Sequence, residues 1–459
     1  MPQKDSAISF KDQFCGAGGN SLAVKRLEEK LGQGLHVGYA LNHWQVAINS
    51  HNANFPETKH DCVDISTCDP KRYRSTNFLL TSPSCTAQGY AGGKKKPTAQ
   101  TELFEDTVTD EAAERSRATM WDVPRFAEYH KYEYIIVENV WQARTWIQFD
   151  NWLRCMHTLG YEHKCVYHNS MFSWPVPQSR DRMYIHFWRK GNPAPNLEYT
   201  PPAYCEACGK DVDAIQTFKK PDKKFGVYGI DRGQYVYCCP VHGNVLNPYY
   251  YAAINAIDMS DLGQRIGDRK KPLVTNTMRR IMHGKEKLKN HPFFIQHEHS
   301  KNLQNIRPLI DVFPTQPTRQ TLGLSFPFLV ENKGQSTGRP CDDTFSTMTT
   351  HLSHGILSPD TFKSYISYYY GGSNVSSSLV DPHGTYTTVQ GSALIQPASD
   401  DINDWYYRMI NLTEGKRIMN FDESYIITGD SKEKFIQLGN GVTPAAMEWQ
   451  IERALQTLS

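Results

Sequence analysis

The chain has 459 residues, with 50 Lys+Arg against 48 Asp+Glu, a formal net charge of +2 and 39% hydrophobic residues. That balance excludes a disordered tail protein, a collagen-like fibre and a heavily charged histone-like binder. No apolar run reaches membrane-spanning length and Met1 to Ser9 (MPQKDSAIS) lacks a signal-peptide core, so a cytoplasmic protein with no membrane contact is expected.

The length suits about three units, or one large domain carrying an insertion. Short apolar runs over Ile8–Phe14, His36–Leu41, Phe78–Thr81, Tyr134–Val137, Cys165–Asn169 and Met183–Trp188 alternate with helix-length amphipathic stretches. Strands separated in this way imply crossovers and a largely parallel, three-layer α/β sheet, in which ligands bind beyond the carboxyl ends of the strands. The texture changes at Gly191 to Pro-, Tyr- and Asn-rich sequence, which reads as a linker into a second module. Three Thr-rich, β-prone runs follow, Pro317–Val330, Ser346–Leu357 and Thr387–Ile395; their uneven spacing suits a small β-rich domain rather than a solenoid. An amphipathic helix, AAMEWQIERALQTL, closes the chain.

Five motifs sit where such a sheet places chemistry. The first strand ends in FCGAGG, Phe14 to Gly19, either a plain tight turn or a loop that lets backbone approach a ligand at a helix N-terminus. After NFLL comes TSPSCTAQGYAGG, where Cys85 is either a buried structural thiol or a nucleophile on a Gly-rich loop followed by Lys94, Lys95 and Lys96. YIIVENV delivers Glu138 and Asn139 to a strand end; a cap explains Asn139 but not Glu138, because a carboxylate there needs a partner or a task. PQSRDRMYIHF sets Gln178, Arg180 and Arg182 just before a strand, with the two arginines on one face of extended chain and able to grip phosphate or a carbonyl oxygen. QLGNGVTP, Gln437 to Pro444, turns into the last helix.

The ordered set FCGAGG, PSC, ENV, QSRDR and GNGVTP resembles the DNA cytosine-5 methyltransferase family over about residues 8 to 190 and 405 to 459. The form SPSCT with SRATMWDV at Ser116 to Val123 is similar to a phage and actinobacterial branch. The resemblance implies a Rossmann-like S-adenosylmethionine-dependent lobe, residues 1–190 completed by 405–459. It also implies a smaller β-rich target-recognition lobe over 191–404. The implied roles are nucleophile for Cys85, catalytic carboxyl for Glu138 and catalytic guanidinium groups for Arg180 and Arg182, with Gln178 near DNA. S-adenosylmethionine would be held by Asp12, Phe14, Gly16, Gly18, Gly19, Trp44, Asp64, Asn440 and Val442. His43 stands where the family usually offers an acidic ribose ligand. In the family chemistry, thiolate addition at C6 of a flipped-out cytosine makes C5 nucleophilic toward the methyl donor.

Two features lie outside that set. CEAC and CCPVH place Cys205 and Cys208 about thirty residues before Cys239 and His242, a spacing that fits a structural zinc ribbon over about 203–245, with Cys238 as the reserve ligand. Arg265 to Lys289 holds nine basic residues against two acids, a local net of +7. Arg265, Arg269, Lys270, Lys271, Arg279 and Arg280 in it suit either a solvated helix face or a surface for double-stranded DNA. A monomer is expected, with a cognate restriction endonuclease as a candidate partner. The competing readings are a catalytically silent zinc-containing DNA-binding homologue, and a related enzyme acting on RNA or with a modified donor.

Overall fold

The computed structural model describes residues 7–83, 118–258, 261, 263–275, 277–279, 281–282 and 401–458, together with the backbone of ten short strands between 295 and 396. Seven strands form the main sheet: β1 (Ser9–Gln13), β2 (His36–Asn42), β3 (Lys59–Cys62), β4 (Phe78–Thr81), β5 (Tyr134–Asn139), β6 (Tyr161–Asn169) and β8 (Asp181–Arg189), in the order β3-β2-β1-β4-β5-β8-β6. A two-residue strand, β7 (Gln178–Ser179), precedes β8. Neighbours from β3 to β5 pair in parallel, while β8 is antiparallel to both β5 and β6.

Every residue of β4 and β5 is buried, as expected of strands covered on both faces. Their alternation divides the core. Phe78, Leu80, Tyr134 and Ile136 pack with Val24 and Leu27 of α1 (Gly19–Leu31) on one side. Leu79, Ile135 and Val137 face Phe126 of α3 (Asp122–His130) and Trp152 of α4 (Phe149–Thr158) on the other. The remaining helices are α2 (Gln45–Asn54), α5 (Leu412–Ile418), α6 (Ser431–Asn440) and α7 (Pro444–Leu455). The last of these returns to the first side of the sheet, where Met447 and Ile451 join the α1 core. The three-layer α/β architecture read from the apolar runs is the one observed. The strand missed by that reading is β3, whose sequence KHDC has no apolar run because it is a half-exposed edge.

Beyond Gly191 the chain makes a hairpin, β9 (Pro202–Cys205) with β10 (Lys210–Asp213), and a three-stranded sheet of β11 (Ile215–Phe218), β12 (Tyr235–Cys238) and β13 (Val245–Leu246). Ala203, Tyr235, Tyr237 and Leu246 belong to the same buried cluster as Val137 and Trp152, so this region shares a core with the main sheet. Each Thr-rich run contains a strand near its apolar end: Leu322–Leu324 and Phe328–Glu331, His354–Ile356, and Ser392–Gln396. The strand Tyr406–Met409 pairs with Gln264–Arg265 and with Ser392–Gln396, so the chain rejoins the main α/β unit only after this strand. No helix among the described residues is long and apolar enough to cross a membrane.

The two ends of the sequence meet at the glycine turn. A Cβ at Gly19 would lie 2.1 Å from the carbonyl oxygen of Val442, and one at Gly18, whose φ is +94°, would lie 2.5 Å from the Tyr425 hydroxyl. Gly19→Ala must therefore push α1 away from the closing segment, an overpacking cost of about 1–3 kcal/mol. Thermal melting should show a loss of several degrees; an unchanged midpoint would mean that this contact is not tight.

Candidate active site

β1 is followed by Phe14, itself at φ +57°, and the chain passes through Gly16 and Gly18 into α1, whose N-cap Gly18 makes no side-chain cap. The Ser21 N–H is taken by the Asp12 carboxyl, while N-cap Gly18 offers no side chain to the N–H groups before it, which lie at the sheet's carboxyl edge. Around the position of a Gly16 Cβ the nearest atom is the Phe14 carbonyl oxygen at 3.9 Å, so the turn has space on that side. Beneath it, Asp12 is fully buried: Oδ1 accepts from Asn20 Nδ2 at 2.9 Å and Oδ2 from Ser21 Oγ at 2.8 Å. Both oxygens are spent on α1, which makes Asp12 a support of the turn rather than a group presented to a ligand. The chain of bonds continues from Ser21 to His51 Nε2 at 2.8 Å and from His51 Nδ1 to His60 Nε2 at 2.8 Å. Burial lifts the Asp12 carboxyl to about 7 against the hydrogen bonds of Asn20 and Ser21, and burial together with His60 lowers His51 to about 3.

The ends of β2 and β3 lie beside this turn. Trp44 caps α2 and is half-buried, while His43 and Asp64 are exposed. Val63 N–H donates to the Asn42 carbonyl at 2.8 Å, which ties the NHW and VDI segments together. Two residues absent from the sequence-based set hold VDI in place. Asp122 accepts from Ser66 Oγ at 2.7 Å, and Arg125 donates to the Ile65 and Cys68 carbonyls while pairing with Asp122 at 2.8 Å. Their spacing, DxxR at a helix start, was the available signal.

At the end of β5, Glu138 Oε1 meets Arg182 Nε at 3.0 Å, with both side chains about nine-tenths buried. The antiparallel course of β8 makes this possible, because it brings the beginning of QSRDR to the edge where ENV ends. Asn139 closes the same edge: its Nδ2 donates to the Pro83 carbonyl at 3.3 Å, and its Oδ1 accepts from Val140 N–H at 2.8 Å. Ser82 N–H donates to the Gln13 carbonyl at 3.2 Å. The segment leading toward Cys85 is thus anchored between β1 and β5; Cys85 itself lies outside the described residues.

Arg180 and Gln178 differ from expectation. Arg180 is buried and donates to the carbonyls of Gly439 and Gly441, at 3.3 and 3.0 Å, so it fixes the GNGV turn rather than facing a substrate. Through that turn it sets Asn440 and Val442 against α1. Gln178 is fully buried with its amide 3.4 Å from Met419 Sδ, a position that DNA cannot reach in this structure. In the basic run, Arg265 pairs with Asp268 at 3.0 Å, and Arg269 donates to the Tyr407 carbonyl at 2.6 Å with its guanidinium over the Tyr407 ring. Arg269 is thus committed to an internal partner, while the Arg265–Asp268 pair lies at the surface; among the described residues of the run Lys270, Lys271 and Arg279 are exposed, and Arg280, Lys285, Lys287 and Lys289 lie outside them.

Cys205, Cys208, Cys239 and His242 place one ligand atom each within 4.8 Å of one another. Cys208 Sγ is 3.6 Å from Cys239 Sγ and 3.2 Å from His242 Nδ1. The two knuckles repeat one backbone form: Gly209 N–H donates to the Cys205 carbonyl and Gly243 N–H to the Cys239 carbonyl, each at 2.9 Å, with left-handed glycines at both positions. Cys238 is in β12, paired with Ile215 and Val245, and is not part of the group.

The residues present also fit a polar cofactor and substrate at the carboxyl edge. Gln13 and Thr81, paired across β1 and β4, have buried side-chain polar atoms without a hydrogen-bond partner. Such atoms are costly unless a ligand satisfies them. The sequence model of the family described as C-5 cytosine-specific DNA methylase matches residues 8–456. No curated protein sequence gives a significant match. Among solved structures, the chain is similar to a methyltransferase of Entamoeba histolytica (12% identity, 99% of this chain and 100% of that one, TM-score 0.47). It is also similar to a putative DNA modification methyltransferase encoded within an E. coli prophage (13%, 98% and 99%, 0.45). A third is the S. pombe Dnmt2 methyltransferase (12%, 98% and 99%, 0.49).

The Asp12 support carries a pH signature. With its carboxyl raised from 3.8 to about 7, the folded state keeps a proton that the unfolded chain releases between those values, so this group's contribution to stability falls as pH rises through the window. The whole effect is at most roughly 4 kcal/mol. Asp12→Asn cannot ionise and escapes the loss. Its melting temperature relative to the parent chain should rise between pH 4.5 and pH 8; a difference independent of pH would show that Asp12 does not titrate in this range.

Proposed function

Because the chain belongs to the C-5 cytosine-specific DNA methylase family and is an S-adenosylmethionine-dependent methyltransferase, we propose that it methylates C5 of cytosine in double-stranded DNA, with Cys85 as nucleophile. The observation that carries this reading is the Glu138–Arg182 pair at the edge where Asn139 holds Pro83. Cys85 follows Pro83 by two residues in the sequence.

The roles then follow from charge. Cys85 as thiolate adds to C6 of the ring, breaking its aromaticity and pushing electron density toward C5 and N3. Glu138 holds the N3 side of the ring, where negative charge develops, by supplying a proton or a hydrogen bond there. Arg182 holds Glu138 in place and offers its remaining N–H groups to the O2 carbonyl. Loss of the C5 proton and departure of Cys85 restore the aromatic ring. Bound S-adenosylmethionine supplies an electrophilic methyl group. It would be held by the open turn Phe14 to Gly19 and by Trp44 and Asp64, with Asn440 and Val442 as its backing. His43 is the candidate for the ribose side. The base must leave the helix stack to reach so buried a pair, at a cost of a few kcal/mol. Lys270, Lys271 and Arg279 are the candidates for phosphate contact, and Zn2+ is assigned to Cys205, Cys208, Cys239 and His242, where four protein ligands give it a structural role.

The test is incubation of the protein with methyl-labelled S-adenosylmethionine and either duplex DNA of mixed sequence or structured RNA. Label in 5-methylcytosine of the duplex is expected, with Cys85→Ala inactive and Glu138→Gln slowed by about 10²–10⁴. Label confined to RNA, or an active Cys85→Ala, would overturn the reading.

A further inference from the structure

The metal cluster lies next to the catalytic edge through a continuous set of contacts. β12 runs from Tyr235 to Cys238, directly before the ligand Cys239. At its first residue, the Tyr235 hydroxyl lies 3.4 Å from Asp181 Oδ1, the same oxygen that accepts from Tyr228 N–H at 3.0 Å. Asp181 is the residue between Arg180 and Arg182, and its own carbonyl accepts from Arg182 Nη1 at 2.8 Å. Rings seal the junction: Phe172 stands edge-on to Tyr228 and Tyr237, with centroids 4.9 and 5.1 Å apart, and Gln216 Nε2 donates to the Tyr167 carbonyl at 2.8 Å. The catalytic guanidinium therefore has two holders, Glu138 on one side and the Asp181 backbone on the other, and the second is fastened to the ribbon.

We propose that the Cys205–Cys208–Cys239–His242 cluster is a zinc site whose function is to fix Asp181, and through it Arg182, for the methyl-transfer reaction, rather than to read DNA. Three thiolates and an imidazole are a donor set for zinc. Tetrahedral Zn–S bonds of about 2.3 Å set sulfurs about 3.8 Å apart, near the 3.6 Å between Cys208 and Cys239. The ribbon strands are short, and β13 is two residues long. Tyr237 anchors β12 in the core; the metal would fix the turn that follows Cys238 and, with it, the register of the strand that carries Tyr235. Asp181, Tyr228 and Tyr235 are positioning residues. The sequence reading placed the ribbon in the target-recognition region; its shared core with β5 and α4 argues for the catalytic unit.

The inference rests on the methyl-transfer reading only for its kinetic arm, so the test combines three readouts. Metal analysis of the purified full chain should give about one zinc per chain, lost in Cys208→Ser. Arginine side-chain NMR, with the Arg182 Nε–H signal assigned through Arg182→Lys, should show that signal shifting or broadening when zinc is stripped, and also in Tyr235→Phe, which keeps the metal ligands. Methyl transfer by Tyr235→Phe and by zinc-stripped protein should then lose kcat by tenfold or more, while KM for duplex DNA changes less than twofold. A raised KM with kcat intact would assign the ribbon to DNA reading and overturn the proposal. An Arg182 signal indifferent to zinc, or no bound zinc, would also overturn it. If the parent chain transfers no methyl group, the NMR arm still decides the coupling while the functional reading fails separately.

Discussion

The direction of one strand sets the chemistry of this molecule. β8 enters between β5 and β6 antiparallel to both, so its first residues stand beside the last residues of β5 and Arg182 can reach Glu138 at 3.0 Å. A parallel β8 in the same place would set Arg182 beside Tyr134, four residues and about 13 Å along the strand from Glu138 at 3.3 Å per residue. An ion pair this buried adds little to stability against well-packed apolar residues, and removing one partner leaves the other charge stranded. Its presence at a strand end is better explained by a task than by folding.

The rest of the fold holds that edge steady. The final forty residues return to the beginning of the chain. Arg180 donates to the Gly439 and Gly441 carbonyls, Val442 fills the space left open by Gly19, and the Tyr425 hydroxyl donates to the Ala17 carbonyl at 2.5 Å. Further out, Arg408 forms a bidentate pair with Glu414, itself half of a capping box with Asn411, where the chain leaves the Tyr406–Met409 strand for α5. The polar groups of these links, Arg180, Tyr425, Arg408 and Glu414, are buried, so breaking one leaves it without a partner.

The α/β class was legible in the sequence because it rests on local rules, and the family because its motifs keep their order. β4 and β5 are continuous apolar runs, as strands buried on two faces must be, and the ordered motifs fall at strand ends. The grouping of Cys205, Cys208, Cys239 and His242 was legible from spacing, and the paired left-handed glycines at 209 and 243 separate Cys239 from Cys238. What could not be read depends on partners far along the chain. Arg180 and Arg182 share one motif and one face of extended chain, yet one serves the closing turn and the other Glu138. Arg269 looks like a surface cation in sequence and is tied to Tyr407, more than a hundred residues away. The buried relay from Asp12 through His51 to His60 has no sequence signature at all.

The account turns on Cys85 and Glu138 serving the same pyrimidine. The most direct measurement is covalent capture on a duplex whose target cytosines carry fluorine at C5, followed by peptide mapping of the adduct by mass spectrometry. In place of a C5 proton that can leave, the fluorine should stall the reaction after addition, leaving the base and its added methyl group on the peptide containing Cys85. Capture at another cysteine, or no capture under conditions where the duplex is bound together with S-adenosylmethionine, would contradict the account.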